Sequence, residues 1–260
     1  MKLTNYIPFE GISNYSLEYD NKDQPTTLYF KDKPENSFRL KIKPNGYIPK
    51  SGVFLCQSIT PFVKGKSILD IGTGETGIIS IFSSKHGAWN VTAVDIDKET
   101  INWASHNGNI NILNNIKWLV SDKYKNVNGK FDLIISNPPQ LPMVNGSFHD
   151  AGGEDGRIEI DQIIQSAKNY LNKNGSIIIL VFDFLSTNKQ FGQKISIFDL
   201  MKSYGLTPSI LSEIERIIRP EGKTYEALKD IEKYYPKYKF KKNKLGELKY
   251  KMQVIKGDLN

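Results

Sequence analysis

S-I-L-D-I-G-T-G-E-T-G, from Ser67 to Gly77, is the stretch that decides the fold. Ile68, Leu69 and Ile71 predict a short buried parallel strand. Gly72, Gly74 and Gly77 then give G-x-G-x-x-G spacing, with Thr73 between the first two. In such a turn the first two glycines permit a tight bend and close approach of backbone to a ligand. The third lets the next helix pack against the strand. Asp70 narrows the choice of ligand. A carboxylate two residues before the first glycine suits a nearby cation and would repel a pyrophosphate. The sulfonium and ammonium of S-adenosyl-L-methionine are such cations. Asp70, Gly72, Thr73, Gly74 and Gly77 are therefore expected to hold that cofactor rather than a dinucleotide, against the bland alternative of a glycine turn with no ligand.

Working outward, strands and helices alternate. A helix over Ser51–Val63 precedes the turn, with Phe54, Leu55, Ile59 and Phe62 on one side. Ile78, Ile79, Ile81 and Phe82 form the buried stripe of the helix after it. Further strands are expected at Val91–Val94, Ile116–Val120, Phe131–Ser136, Ser176–Phe182, Ser209–Ile218 and Leu248–Ile255. Helices are expected after Asp97, from Ile160 to Leu171 with Gly175 as the stop, over Ile195–Tyr204, and over Tyr225–Tyr235 as an insertion. This alternation predicts an α/β fold: a doubly wound, Rossmann-like sheet of seven strands, the last antiparallel. Residues 1–50 lack helical periodicity and read as a small β-rich extension, with strands at Leu28–Lys31 and Ser37–Lys43 around D-K-P-E-N. Phe38, Leu40 and Ile42 alternate with Arg39, Lys41 and Lys43, so one face is buried. The extension either covers the main domain or walls its active site. Residues 51–260 form that domain, with a helical and basic insertion at about 220–247.

Ligand sites in such folds lie at the carboxyl ends of the strands. Asp95 ends the second strand, 23 positions after Gly72, which places a carboxylate beside a bound ribose; Ile96 follows it. Asp97 competes for this role or caps the next helix. Ser121 and Asp122 end the third strand, near the expected adenine, although Asp122 also reads as a solvated loop residue. Directly after the fourth strand stands Ser136-Asn137-Pro138-Pro139-Gln140. Two prolines fix a rigid turn and remove two backbone donors, leaving carbonyl oxygens free. Asn137 adds a side-chain carbonyl acceptor. Together these groups can hold both hydrogens of an –NH₂ and aim its delocalised lone pair at a methyl group. Asn137, Pro138, Pro139 and Gln140 are the candidate catalytic residues, and Asn137 also borders the cofactor.

D-I-G-T-G-E-T-G, V-D-I, S-D and S-N-P-P together resemble the class I methyltransferases that modify planar nitrogen. These are the HemK-type release-factor glutamine methyltransferases and the amino-methyltransferases with a small-domain core. G-G-E-D-G-R, Gly152 to Arg157, is similar to the segment that follows N-P-P-Y in the HemK type. The match spans roughly residues 48–182. It implies S-adenosyl-L-methionine as cofactor and an amide or amino nitrogen as acceptor. Two departures stand out. Gln140 replaces the usual stacking Tyr or Phe, so it is expected to hydrogen-bond a polar acceptor, and residues 1–50 are β-rich where the bacterial enzymes are helical.

Composition sets the frame. The 260 residues, 39% hydrophobic, fit a globular chain with a sizeable core. No run approaches the roughly 18 apolar residues of a membrane span, and M-K-L-T-N-Y-I-P-F-E has no apolar core of a signal peptide. Cys56 stands alone, which excludes an internal disulfide and fits a reducing cytoplasm. His86, His106 and His149 have no Cys partners, so no metal is expected. The net charge of +7 points to a polyanionic partner. Much of it lies in Lys233–Lys256, where lysines interleave with Tyr234, Tyr235, Tyr238 and Phe240. This tail either binds nucleic acid or turns its aromatics inward and solvates its lysines. A protein or nucleic-acid acceptor is expected ahead of a small molecule roofed by the insertion. A non-catalytic binding subunit is disfavoured by intact Asp70, Asp95 and Asn137.

Overall fold

The computed structural model describes residues 3–4, 15–22, 24–144, 146 and 149–259, which fall into two compact units meeting between Asn137 and Pro138. The segment read for a signal peptide lies, apart from Leu3 and Thr4, outside the described residues.

The first unit opens with an antiparallel sheet of β1 (Leu3–Thr4), β2 (Tyr15–Tyr19), β3 (Pro25–Phe30) and β4 (Phe38–Lys41), in that order. Phe38 and Leu40 are buried and Arg39 and Lys41 exposed, as the alternation requires. Phe30 stacks on Phe38 at 4.8 Å. Then come α1 (Lys50–Val63), β5 (Ser67–Ile71), α2 (Ile78–Lys85), β6 (Asn90–Asp95), α3 (Lys98–Ile110), β7 (Ile116–Val120) and β8 (Phe131–Ser136). Strands β8, β5, β6 and β7 lie side by side in that order, all parallel. The chain winds outward from β5 through β6 to β7, then returns to the other flank of β5 as β8. This reversal creates a topological switch point between β5 and β8.

The N-terminal sheet sits on the helices. Phe30 meets the Phe82 ring edge-on at 5.4 Å. Asn107 on α3 and Asn111, its C-cap, each accept a backbone N–H and donate to the carbonyl of the same β4 residue, Lys41 and Arg39 respectively. These four bonds satisfy the open edge of β4 as a neighbouring strand would. β2 was missed in the sequence reading although Y-S-L-E-Y alternates; unlike β4, it buries its polar Ser16 and Glu18 as well as its apolar residues.

The second unit holds α4 (Ile158–Tyr170), β9 (Leu171–Phe182), α5 (Ile197–Ser203), β10 (Leu206–Ile217), α6 (Lys223–Glu226), α7 (Leu228–Tyr234), β11 (Lys241–Lys242) and β12 (Leu248–Leu259). β12 runs antiparallel to both β9 and β10, so the last strand is the antiparallel one, as expected. One expectation is corrected. The helix ends at Tyr170, Leu171 is already extended, and Asn174 rather than Gly175 takes the left-handed conformation. Asn tolerates that region by hydrogen-bonding locally.

The inserted segment packs within its own unit. Fully buried Phe184 is ringed by Tyr235, Tyr238, Phe240 and Tyr250, with centroids between 5.6 and 6.5 Å away. Tyr238 and Phe240 therefore turn inward. Among the described residues no helix is long and apolar enough to cross a membrane.

Candidate active site

The candidate residues of the first unit gather at the carboxyl ends of β5, β6 and β8. Gly72, Gly74 and Gly77 all have positive φ, between 62° and 72°. The glycine requirement differs along the turn. A Cβ on Gly77 would lie 2.9 Å from the Trp118 ring and 3.2 Å from Ala104, so helix packing forbids a side chain. A Cβ on Gly74 would run into the Tyr47 hydroxyl. A Cβ on Gly72 would meet nothing within 4 Å; it would project into open space. That open side is where a ligand can approach the backbone.

Asp70 is fully buried. One carboxylate oxygen accepts from the Thr73 hydroxyl at 2.7 Å and the Ser80 hydroxyl at 2.6 Å. The other, Oδ1, is buried without a hydrogen-bond partner. Burial is the main reason that the Asp70 pKa rises to about 6, and Asp95 adds to it. An orphaned carboxylate oxygen under a glycine turn fits a cationic ligand, which would relieve it. The folded chain without ligand holds more protons than the unfolded one between about pH 4 and 6. Its stability should therefore fall as pH rises through that window and stay lower above it. Asp70→Asn should flatten this slope and gain on the order of 1–3 kcal/mol at neutral pH, as two pKa units allow. Urea titrations across pH check it; an unchanged slope would clear Asp70 of the effect.

Asp95 is nearly buried and spans the turn. Its Oδ2 accepts from the Gly74 amide at 3.1 Å and its Oδ1 from the Asp97 amide at 3.2 Å. The Gly72 and Thr73 amides both reach the Val94 carbonyl at 2.9 Å. The loop after β5 is thus hung from the end of β6. Asp97 caps α3 through the Thr100 amide at 2.7 Å. Half-exposed Ile96 offers an apolar face next to Asp95. At the end of β7, Ser121 is buried and closes its own turn, donating to the Lys123 carbonyl and accepting from the Asn126 amide. Its amide reaches the Asp95 carbonyl at 2.8 Å. Asp122 is exposed and pairs with Lys123 at 2.7 Å.

Asn137 leaves β8 on the other side of the switch point, where the Ser136 hydroxyl donates to the Ile71 carbonyl at 2.8 Å. The Asn137 amide nitrogen donates to the Ser51 hydroxyl oxygen at 3.0 Å. With the –NH₂ engaged on Ser51, the amide's carbonyl oxygen is left as an acceptor.

Three residues of this unit were missed by sequence reasoning. Ser51 is one. Tyr47 and Glu75 are the others: buried Glu75 accepts from the Tyr47 amide at 3.2 Å. Tyr47, 37% exposed as a residue, places its hydroxyl over Gly74, where desolvation and the Glu75, Asp95 and Asp70 carboxylates push the phenol pKa up. Nothing in the local pattern N-G-Y-I-P marks these contacts. They join the loop after β4 to a turn about thirty residues later.

In the second unit, Pro138–Gln140 form a braced turn. Gln140 is buried, its Nε2 donating to the Pro138 and Leu180 carbonyls at 3.3 and 3.1 Å. Its Oε1 accepts from the Phe182 amide at 2.8 Å. The expectation that Gln140 bonds an acceptor is corrected: its amide is spent at both ends on tying the turn to β9. G-G-E-D-G-R is the seat of that turn. A Cβ on Gly152 would lie 2.6 Å from Gln140 Cα, and one on Gly156 would lie 2.5 Å from the Gln140 carbonyl oxygen. Arg157, only 1% exposed, anchors the seat through Asp161 and the Leu185 and Ile195 carbonyls.

Among the described residues, no group of three or more His, Cys, Asp and Glu could hold a metal ion.

The profile of the family described as "Methyltransferase small domain" matches residues 48–205. The chain is 39% identical over 149 residues to a putative protein N5-glutamine methyltransferase of Methanocaldococcus jannaschii, covering 55% of this chain and 75% of that one. It is 31% identical over 125 residues to the release factor glutamine methyltransferase of Buchnera aphidicola, covering 44% of this chain and 46% of the relative. Among solved structures, the T. thermophilus 16S rRNA N2 G1207 methyltransferase in complex with AdoMet and guanosine superposes with a TM-score of 0.54 at 15% identity. That match covers 90% of this chain and 48% of the other. At that identity it carries the fold alone, and the fold is the Rossmann-like one expected.

Proposed function

The chain belongs to the methyltransferase small-domain family, with S-adenosyl-L-methionine as methyl donor, and on that premise we propose that it methylates a planar amide or amino nitrogen of a macromolecule. The observation that carries this reading is Asn137. It stands at the switch point, its –NH₂ is held by Ser51, and its carbonyl oxygen remains to accept. The bound donor supplies an electrophilic methyl on a sulfonium; the chain's residues do the rest. Gly72 offers open backbone for the ligand to approach, Asp70 Oδ1 faces its positive charge, and Asp95 with Ile96 takes the ribose and adenine. Asn137 and the Pro138 carbonyl, through the lone pair that Gln140 leaves open, accept the two N–H hydrogens of the acceptor. This draws the nitrogen from planarity and turns its lone pair toward the methyl. Rate enhancement comes from positioning and preorganised dipoles, with no covalent intermediate. Gln140 acts as a positioning residue behind the turn.

Glutamine amides, named in the M. jannaschii and B. aphidicola relatives, and base amino groups both meet this chemistry. The reading places the protein in the cytoplasm, with a protein or a nucleic acid as partner. Labelled donor incubated with separated protein, RNA, DNA and small-molecule fractions tests it. Acid- and base-stable label on a macromolecular fraction is expected, and label confined to small molecules would overturn it. For the cofactor site, calorimetry should give donor binding that weakens about ten- to a hundredfold in Asp95→Ala, the loss expected for charge-assisted hydrogen bonds. Undiminished binding would remove Asp95 from the site.

A further inference from the structure

The second unit carries a groove of about 520 Å³ that the methyl-transfer reading does not use. Six lysines line it: Lys189, Lys237, Lys239, Lys241, Lys249 and Lys251. Three carboxylates, Asp183, Glu213 and Glu215, line it as well, leaving an excess of three positive charges. The charges are not mixed at random. Glu213 and Glu215 of β10 pair with Lys251 and Lys249 of β12. Among the described residues, Lys189, Lys237, Lys239 and Lys241 make no ion pair with a carboxylate. Lys241 also stands directly opposite Lys249 across the β11–β12 ladder. Glu215, bonded to Lys249, also feels the Lys241 charge and partly offsets the repulsion between the two lysines.

The backbone holds these cations outward. Tyr238 and Phe240 turn into the cluster around Phe184, so Lys237, Lys239 and Lys241, which alternate with them, remain exposed. Lys237 lies in the turn closed by the Tyr238 amide on the Tyr235 carbonyl, and Lys239 and Lys241, two residues apart, can stand up to roughly 7 Å from one another, close to the repeat of phosphates along an extended single strand. Deeper in the groove lies part-buried Asp183, fixed by the Tyr238 hydroxyl at 2.8 Å and the Lys251 amide at 2.9 Å. The groove thus has a rim on which lysines outnumber the exposed Glu213 and Glu215, and an interior of Asp183 among aromatic rings. An acidic peptide carries its charges on side chains that would reach inward and meet repulsion from Asp183. A nucleic-acid strand would not: its phosphates face the rim, and its bases bring N–H donors and flat apolar faces inward.

We propose that this groove docks single-stranded nucleic acid, with phosphates on Lys237, Lys239 and Lys241 and a base toward Asp183 and Tyr238. The groove is joined to the braced turn, since Asp183 follows Phe182, whose amide is held by Gln140. A strand seated there is tethered close in sequence and space to Pro138–Gln140.

The test uses the full chain with no methyl donor and a labelled, mixed-sequence single-stranded RNA of about a dozen nucleotides. Binding should weaken steeply with salt, by about 0.7 in log–log slope for each phosphate neutralised. Replacing Lys237, Lys239 and Lys241 together by Gln should lower the slope by about 2, while cofactor calorimetry stays unchanged and confirms folding. Absence of RNA binding at low salt, an unchanged slope in the triple variant, or displacement by polyglutamate at equal charge would each overturn the proposal. Because binding is read without methyl transfer, its failure leaves the Asn137 reading intact, and the converse holds.

Discussion

Asn137→Ala should slow methyl transfer by about a hundredfold or more while the donor binds within a few-fold of normal. The magnitude is that of removing one preorganised polar group from a reacting centre. The split between rate and binding follows from geometry. The turn after β5 and the Asp95 carboxylate are held by hydrogen bonds among Val94, Gly74, Thr73 and Ser80, whereas the Asn137 side chain bonds Ser51. The cofactor side therefore stays built when Asn137 is truncated. An amide or amino nitrogen has its lone pair delocalised, so it attacks only when acceptors on its hydrogens pull it toward tetrahedral geometry. Asn137 can do this because its own –NH₂ is already committed to Ser51. Ser51→Ala frees the amide to rotate and present the wrong group. It should cost roughly tenfold, the scale of one neutral hydrogen bond. Single-turnover rates with saturating donor, set beside calorimetric affinities, distinguish the outcomes. Loss of donor binding in Asn137→Ala would make the residue structural and remove the nitrogen-acceptor argument.

The sequence carried what depends on local backbone geometry. The glycines of G-T-G-E-T-G permit the positive-φ turn, Asp97 caps a helix through the amide three residues on, and alternation marks β4. Partners brought together by the fold were not legible. Ser51 lies 86 residues before Asn137, and Tyr47 lies 28 before Glu75. The clearest case is Gln140. A polar residue after N-P-P looks available for an acceptor, and only the register of β9 reveals that Leu180 and Phe182 consume its amide. The same limit hid the purpose of G-G-E-D-G-R. In the sequence it stood only as a likeness to the HemK-type segment, whereas Gly152 and Gly156 are small because the Gln140 backbone lies against them.

That seat makes Asp161→Ala the most damaging single change expected in the second unit. Arg157 is 1% exposed, and Asp161 Oδ1 accepts from both its Nε and an Nη at 2.7 Å. Without Asp161 the guanidinium keeps two carbonyl partners, each at 3.2 Å, but loses its contacting carboxylate. An unpaired buried charge costs about 3–5 kcal/mol. In a chain of this size each kcal/mol lowers the thermal midpoint by roughly 2–4 °C, so a fall of roughly 6–20 °C is expected. Asp161→Asn keeps an acceptor oxygen and should lose clearly less. The effect should reach activity before unfolding. Gly156 precedes Arg157 and packs on the Gln140 carbonyl, so loosening the arginine shifts the floor beneath Pro138 and Pro139. Asp161→Ala should therefore show reduced methyl transfer at temperatures where circular dichroism still reports a folded chain. Full activity up to the unfolding transition would mean that the turn holds its shape without this seat.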